Sequence, residues 1–416
     1  MASRHLPVHP DLDQLKHQAK DLLRGIHQGL AADLDDLAAF HPRAVAPADA
    51  KLADAQLVLA RAYGVPSWPR LALACRMTEA LQRNDPVAVR ALIVEHPELL
   101  HEDARGTKGN WGPPLSYAAN LGHDTLVRML ADLGAQDLQH AFGRACLQGK
   151  VATARWLLEH GAHLEPGIVM GPCETQNADG LRLLLDLGAA LSDGAGDRMA
   201  PVALLLETYC RSPHGKHACL ALCAEHGIGL PDTPVMAVHR GRIDLLTDHL
   251  RRDPTMINRR HGYRDIYPLA LGCHADDSLG LHGTPLDGTT LLHLCIDFDE
   301  LDLAIWLIDH GADVNATADI GADGFGGHTP LFNAVVSQAH CAGRRQDGAA
   351  FARLLLDHGA DPQAKASIRK RLRFVADETT HEFRNVTPLA YGQRFHERRW
   401  VGTAAMRLIA ERGGTA

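Results

Sequence analysis

Histidines and cysteines that could bind a metal ion cluster in residues 214–227, which read HGKHACLALCAEHG. Imidazole nitrogens and thiolates are the ligands that zinc prefers in proteins, so this run could supply a zinc site. The alternative is a packed helix. Cys219 and Cys223 fall at apolar positions of such a helix, and free cysteine behaves as a small hydrophobic side chain. The spacing favours packing.

Histidines and aspartates are also frequent in residues 253–300. Two histidines and a carboxylate that converge can bind a transition metal. Spacing alone does not establish convergence, so a metal-dependent enzyme with its active site on these loops is an alternative hypothesis. The candidate ligands are His274, His282, His293 and Asp297, with Asp276 and Asp277 nearby in the chain.

A basic run, ASIRKRLRF at residues 366–374, stands out in a chain whose formal net charge is -8. Its guanidinium and ammonium groups could bind an acidic partner or a phosphate group. However, Glu378 and Glu382 follow closely and could neutralise the run across a hairpin. Because charge runs are usually solvated, we predict an exposed loop.

The composition is that of an ordinary globular protein, with 46% hydrophobic and 22% charged residues. The acidic balance disfavours a nucleic acid partner, and no apolar run predicts a membrane-spanning helix. The first residues lack the apolar segment of a secretory signal. Nine scattered cysteines without a CxxC pair are typical of reduced thiols, so we predict a cytoplasmic location and no cofactor.

Two short phrases recur along the chain and predict repeated helix pairs. The first is a run of leucines, one or two polar residues and Gly-Ala, as in RWLLEHGA at residues 155–162 and RLLLDLGA at residues 182–189. The second lies upstream, as in PPLSYAANLGH at residues 113–123 and HTPLFNAVV at residues 328–336. In these phrases a Thr or Ser can cap a helix, Pro can begin it, and Gly can end the next helix.

These phrases resemble the ankyrin repeat, TPLHxAAxxGHxxIVxLLLxxGADxN. Residues 113–134 match this pattern without a gap, and residues 290–311 match it with Leu291 in place of proline. The resemblance implies an all-α solenoid in which about eight helix pairs stack and finger loops connect them. It also implies that His293, at the family's histidine position, forms internal hydrogen bonds, and that partners contact the fingers and the concave face.

Residues 1–73 lack the repeat phrases and form a separate predicted module. Apolar residues at helical spacing predict three helices, near residues 11–26, 32–40 and 52–62. The stretch LARAYGVPSWPRL is similar to the helical leader of many bacterial ankyrin-repeat proteins. We therefore predict a helical module at residues 1–73 and an ankyrin domain at residues 74–416. In that domain, residues 74–100 form a capping repeat, and residues 253–288 and 361–386 are long inserted connections.

The leading functional hypothesis is that the chain binds another protein through its groove and fingers, as a monomer and without bond chemistry. Long connections within a compact repeat array are often functional. Exposed-looking aromatic, histidine and aspartate side chains in the fingers are the predicted contacts: Trp111, Tyr263, His282, Asp287, Phe325 and His328.

Overall fold

The computed structural model describes residues 4, 6–274, 282–341, 348–373, 375 and 377–416. Asp276 and Asp277 therefore lie outside the described residues. The chain forms two compact units, Met1–His163 and Leu164–Ala416. Helices make up most of both units, which confirms the predicted all-α class.

The first unit consists of helices. In chain order they are α1 (Leu12–Gln28), α2 (Ala31–Phe40), α3 (Leu52–Ala62), α4 (Trp68–Gln82), α5 (Pro86–Glu95), α6 (Pro114–Leu121), α7 (Asp124–Asp132), α8 (Leu138–Leu147) and α9 (Val151–Glu159). Short 3-10 turns lie at Pro47–Asp49 and Pro97–Leu100. The three helices predicted for the N-terminal module correspond to α1, α2 and α3.

An apolar core joins α1, α2, α3 and the start of α4. Leu15, Leu22 and Ile26 lie on one face of α1 because side chains three, four and seven residues apart share a helix face. They pack into the same cluster as Leu59 of α3 and Leu71 of α4. The predicted module boundary at residue 73 falls inside α4, whose 15 residues run without a break from Trp68 to Gln82.

From α4 onward the first unit is built of helix pairs: α4 with α5, α6 with α7, and α8 with α9. First helices of neighbouring pairs pack together, as α6 does on α8, and second helices do the same, as α7 does on α9. Ala118, Ala119 and Ala145 are fully buried between the first helices. Alanine leaves room for the helices to approach closely, so the pairs stack.

The described part of the second unit contains helices and two short antiparallel sheets of two strands each. Its helices are α10 (Met170–Glu174), α11 (Ala178–Asp186), α12 (Ala200–Glu207), α13 (Pro213–Glu225), α14 (Pro234–His239), α15 (Ile243–Arg252), α16 (Tyr263–Ile266), α17 (Leu291–Asp297), α18 (Leu301–Asp309), α19 (Pro330–Val335), α20 (Gln338–Cys341), α21 (Ala350–Asp357), α22 (Pro388–Arg394) and α23 (Thr403–Glu411). Its 3-10 turns lie at Pro254–Asn258, Leu269–Leu271 and Arg398–Trp400.

Helix pairs also stack in the second unit. The pairs are α10 with α11, α12 with α13, α14 with α15, α17 with α18, α19 with α21, and α22 with α23. The first helices α14, α17, α19 and α22 form one consecutive row. Helix α10 has only five residues, and Pro172 lies within it.

Within the described residues, both long connections predicted from the sequence contribute a short β-strand or strands to the second unit. In the first, β1 (Arg260–His261) pairs antiparallel with β2 (Thr289–Thr290). In the second, β3 (Ala366–Arg371) pairs antiparallel with β4 (Thr380–Val386), with Arg369 opposite Glu382. Cross-strand pairing of opposite charges stabilises a hairpin, so Arg369 of the basic run is held by Glu382 of the strand that follows it.

Glycine ends the second helix of most pairs, as the repeated phrase predicts. Gly134, Gly161, Gly188 and Gly311 all have positive φ, between 89° and 115°. A residue with a Cβ is strained in this region, which is why glycine recurs there.

Within the described ranges, no helix is both long and apolar enough to cross a lipid bilayer.

Gly161→Ala should destabilise the first unit by about 1–2 kcal/mol, because φ is +115° there while an added Cβ meets no atom within 4 Å. Gly143→Ala is the matched control. Gly143 lies within α8, and its added Cβ also meets open space, so alanine should stabilise by about 0.5–1 kcal/mol. Urea denaturation followed by circular dichroism measures both changes. Two changes of the same sign would contradict the backbone assignment at Gly161.

Candidate functional site

Trp111 lies in the loop before α6 and is half-buried. Its indole stacks on the ring of Tyr117 with a centroid distance of 4.7 Å and an interplanar angle of 29°. The guanidinium carbons of Arg105 and Arg144 each lie 5.8 Å from the indole centroid. We call these four residues the Trp111 platform. It combines a held aromatic ring with two cations, the side-chain types that most often anchor protein interfaces.

The arginines of the Trp111 platform are themselves fixed. Arg105 Nη2 donates to the carbonyl oxygens of Leu6 and Pro7, at 2.5 and 2.8 Å. Arg144 Nη2 donates to Asn120 Oδ1 at 2.6 Å. Neutral oxygens do not cancel the charge of Arg105, so the platform keeps positive charge beside the ring.

Residues below the loop set the position of Trp111. Gly112 has φ of +68°, and a Cβ there would lie 2.7 Å from the ring of His140. His140 Nδ1 lies 2.8 Å from Ser116 Oγ, which donates to Asp137 Oδ2 at 2.5 Å. A nucleophilic triad needs the histidine between the serine and the carboxylate, whereas here the serine is in the middle and fully buried. The three side chains therefore join α6 to α8 rather than form a catalytic site.

The second unit contains a buried ionic network. Arg211 Nη2 lies 3.0 Å from Asp297 Oδ2, and its Nε donates to the Asp297 carbonyl oxygen at 3.1 Å. Lys216 Nζ lies 2.9 Å from Glu300 Oε1. Both cations flank Phe298, with Arg211 Cζ 5.0 Å and Lys216 Nζ 4.5 Å from its ring centroid. The network ties α13 and Arg211, two residues before it, to the end of α17 and the turn that follows.

Electrostatics keep Glu300 ionised within this network. Burial favours the neutral carboxyl, but Lys216 and His217 outweigh it and lower the pKa of Glu300. His217 Nε2 lies 2.8 Å from Glu300 Oε1 and adds a second contact from α13. Two donors on one carboxylate explain why a charge is stable in this interior.

Four of the six predicted partner contacts are buried. Their exposed fractions are 7% for Tyr263, 2% for His282, 9% for Phe325 and 1% for His328. The expectation that these side chains are exposed is therefore wrong. Trp111 is half-buried, and Asp287 is exposed, with its Oδ1 accepting a hydrogen bond from the Tyr263 N–H at 2.6 Å.

The burial of His282 and His328 has a common cause. Residues 282–286 pass through the second unit against α19 instead of projecting into solvent. Thr284 Oγ1 donates to the Val336 carbonyl oxygen at 2.8 Å, and His328 Nε2 donates to that of Pro285 at 2.9 Å. Residues 282–286, the described end of the first long connection, therefore belong to the core. The apolar pair Pro285-Leu286 is the sequence signal that could have indicated this burial.

Phe325 is covered by the β3–β4 hairpin. The guanidinium carbons of Arg369 and Arg384 lie 4.0 and 4.3 Å from its ring centroid. Arg369 also pairs with Glu382 at 2.9 Å and with Asp323 at 2.6 Å. The predicted neutralisation of the basic run is confirmed, and its Lys370 is buried rather than solvated.

The alternative metal ligands bind separate partners. His274 Nδ1 lies 2.8 Å from Glu207 Oε2, His293 contacts Thr290 and the carbonyl oxygen of His328, and Asp297 pairs with Arg211. The internal hydrogen bonds expected of His293 are confirmed. No group of three His, Cys, Asp or Glu side chains within the described ranges is arranged to hold a metal ion.

The cysteines of the HGKHACLALCAEHG run are packing residues of α13. Cys219 and Cys223 are fully buried free thiols. Burial raises the pKa of each thiol to about 12, which disfavours the thiolate that zinc requires.

Comparison with known proteins identifies one repeat by sequence. The family model for the ankyrin repeat matches residues 287–319, a range that includes β2, α17 and α18. The chain thus carries an ankyrin repeat at residues that include the predicted repeat 290–311. The crystal structure of the human ASB11 ankyrin repeat domain is similar at 17% identity, over 73% of this chain and 99% of that chain. Its TM-score of 0.26 supports no further conclusion. No curated protein matches the sequence.

Asp297→Asn should destabilise the second unit by about 3–5 kcal/mol, because it leaves the buried Arg211 guanidinium without its counter-charge. Asp244→Asn is the matched control, since Asp244 pairs with Arg242 in the same unit but both side chains are largely exposed. Little change is expected there. Chemical denaturation measures both variants. Equal effects would contradict a structural role for the buried pair.

The second unit should lose stability as the pH falls below 6.5. Burial is the main cause that lowers the pKa of His239 and His293 from 6.5 to about 3, and that of His328 to about 4. The unfolded chain therefore binds more protons between pH 6.5 and about 4, and each histidine removes up to about 1.4 kcal/mol per pH unit.

Replacing one of these histidines tests that dependence. His293→Gln should reduce the slope of the unfolding free energy against pH by up to about 1.4 kcal/mol per pH unit, the contribution of one histidine. His358→Gln, at an exposed helix end of the same unit, is the control. An unchanged slope for His293→Gln would contradict burial of the neutral imidazole.

Proposed function

We propose that the chain binds another protein and that the Trp111 platform of the first unit is the anchor of that contact. Ankyrin repeats generally act as protein-binding modules, and one is present at residues 287–319. The observation that carries the proposal is the stacking of half-buried Trp111 on buried Tyr117 between two arginines.

The platform has the physical properties of a binding hot spot. Tyr117 and Gly112 hold the indole in place, so little side-chain entropy remains to be lost on binding. The exposed part of the ring offers apolar area, and Arg105 offers a charge that a partner's carboxylate can meet. Rigid complementarity is therefore the mechanism that we propose, without bond chemistry.

We extend the proposal of partner binding to Asp287, the exposed one among the predicted contacts of the second unit. Its backbone contact with Tyr263 fixes the carboxylate at the end of a buried segment. Tyr263, His282, Phe325 and His328 would then shape the surface from beneath instead of contacting a partner directly.

We also propose that the protein works in a reducing, cytoplasmic compartment. Each of the eight cysteines whose side chains the structure describes is buried and is not part of a disulfide bond. Stable reduced thiols at this frequency are typical of proteins that are not exposed to an oxidising environment.

Trp111→Ala tests the proposed anchor. The full-length protein, immobilised and offered an extract of its own cells, should retain a specific protein, and the variant should retain at least about tenfold less, as expected for a hot-spot tryptophan. Trp156→Ala is the matched control, because Trp156 is also half-buried and flanked by an arginine, Arg128, in the same unit.

The two variants separate the possible outcomes. Retention that is lost with Trp111→Ala and kept with Trp156→Ala supports the anchor. Equal retention by all three proteins contradicts the anchor. The absence of any specifically retained protein contradicts the binding function itself.

A further inference from the structure

Helix α5 exposes an apolar stripe. Val87 and Val94 have exposed fractions of 77% and 73%, the highest among the large apolar side chains that the structure describes. They lie seven residues apart and so share one face of α5, with Ala91 between them. The stripe forms one wall of a groove of about 600 Å³, whose other wall is Thr125 and Met129 of α7.

The groove is positively charged. Arg90 is the one charged side chain among its lining residues, and it forms no ion pair within the described part of the chain. Arg128 of α7 is exposed and lies with its guanidinium carbon 5.4 Å from the Trp156 ring centroid. Asp85 and Glu95, at the two ends of α5, line a different groove, and Asp124 and Asp132 of α7 are not among the residues that line this one.

We propose that this groove binds an amphipathic helix of a partner protein, with carboxylates beside its apolar face. A groove between two parallel rows of helical side chains accepts apolar residues spaced i, i+3 or i+4, and i+7. Arg90 requires a negative counterpart at the edge of that face. The proposal rests on the proposed protein-binding function, but its surface is distinct from the Trp111 platform, so the two can fail separately.

A second copy of the chain fits this groove less well. In a twofold contact the same patch of both copies faces itself, so the surface opposite each groove would carry Arg90 and no groove-lining carboxylate. Like charges within one apolar contact are unfavourable. Charge complementarity therefore selects an acidic helix from another protein.

Two synthetic helical peptides test the proposal on the full-length protein. Both carry the same leucines at i, i+3 and i+7, flanked by glutamates in one peptide and by lysines in the other. By fluorescence anisotropy, the glutamate peptide should bind at least about tenfold more tightly than the lysine peptide. Arg90→Glu should reverse that preference.

Variants locate the binding surface. The double variant Val87→Ser, Val94→Ser should weaken binding of the glutamate peptide by at least about tenfold. Leu30→Ser is the matched control, since Leu30 is also an exposed apolar residue of the first unit but does not line the groove. It should leave binding unchanged, and so should Trp111→Ala, which separates this surface from the Trp111 platform.

Three results would overturn the proposal. The first is equal affinity for the two peptides. The second is unchanged affinity of the double valine variant. The third is a concentration-dependent dimer in sedimentation velocity that Val94→Ser abolishes, since it would assign the groove to a second copy of the chain.

Discussion

A short helix pair cannot bury enough apolar surface to be stable alone, and this constraint governs both units. Each pair is stable only where its first helix packs on the next first helix and its second helix on the next second helix. The fully buried alanines of α6 and α8 allow that close approach. Every other feature, including the loops that carry the Trp111 platform, depends on this stacking for its position.

The second unit adds charge to that apolar stacking. Arg211, just before α13, and Lys216, in its first turn, meet Asp297 and Glu300 around the ring of Phe298. Buried ion pairs stabilise poorly in general because desolvation offsets attraction. Their geometry is specific, however, so the network fixes where α13 lies relative to α17.

The repeat phrases were sufficient to predict the helix pairs, because the cap, the apolar spacing and the final glycine are all local signals. The repeat phrases did not predict contacts between residues that lie far apart in the chain. His282 and His328 resemble surface residues by type, and only the packing of residues 282–286 on α19 makes them core. The ionic network left one local trace. Asp299 stands at the glycine position of the repeat turn and has φ of 65°, and Glu300 replaces the usual histidine. Nothing local pointed to Arg211 or Lys216 as their partners.

The path of residues 282–286 changes how the second unit can be assembled during synthesis. In a simple repeat array each contact joins neighbours, so the chain can fold from its first pair onward as it leaves the ribosome. Here Tyr391 donates a hydrogen bond to the carbonyl oxygen of Gly283, 108 positions earlier, and Gln338 donates one to Tyr209 across 129 positions. Such contacts raise contact order and delay folding until the distant partner has been made. The repeats of the second unit are therefore not independent of one another. A chain cut before Tyr391 loses the hydrogen bond to Gly283.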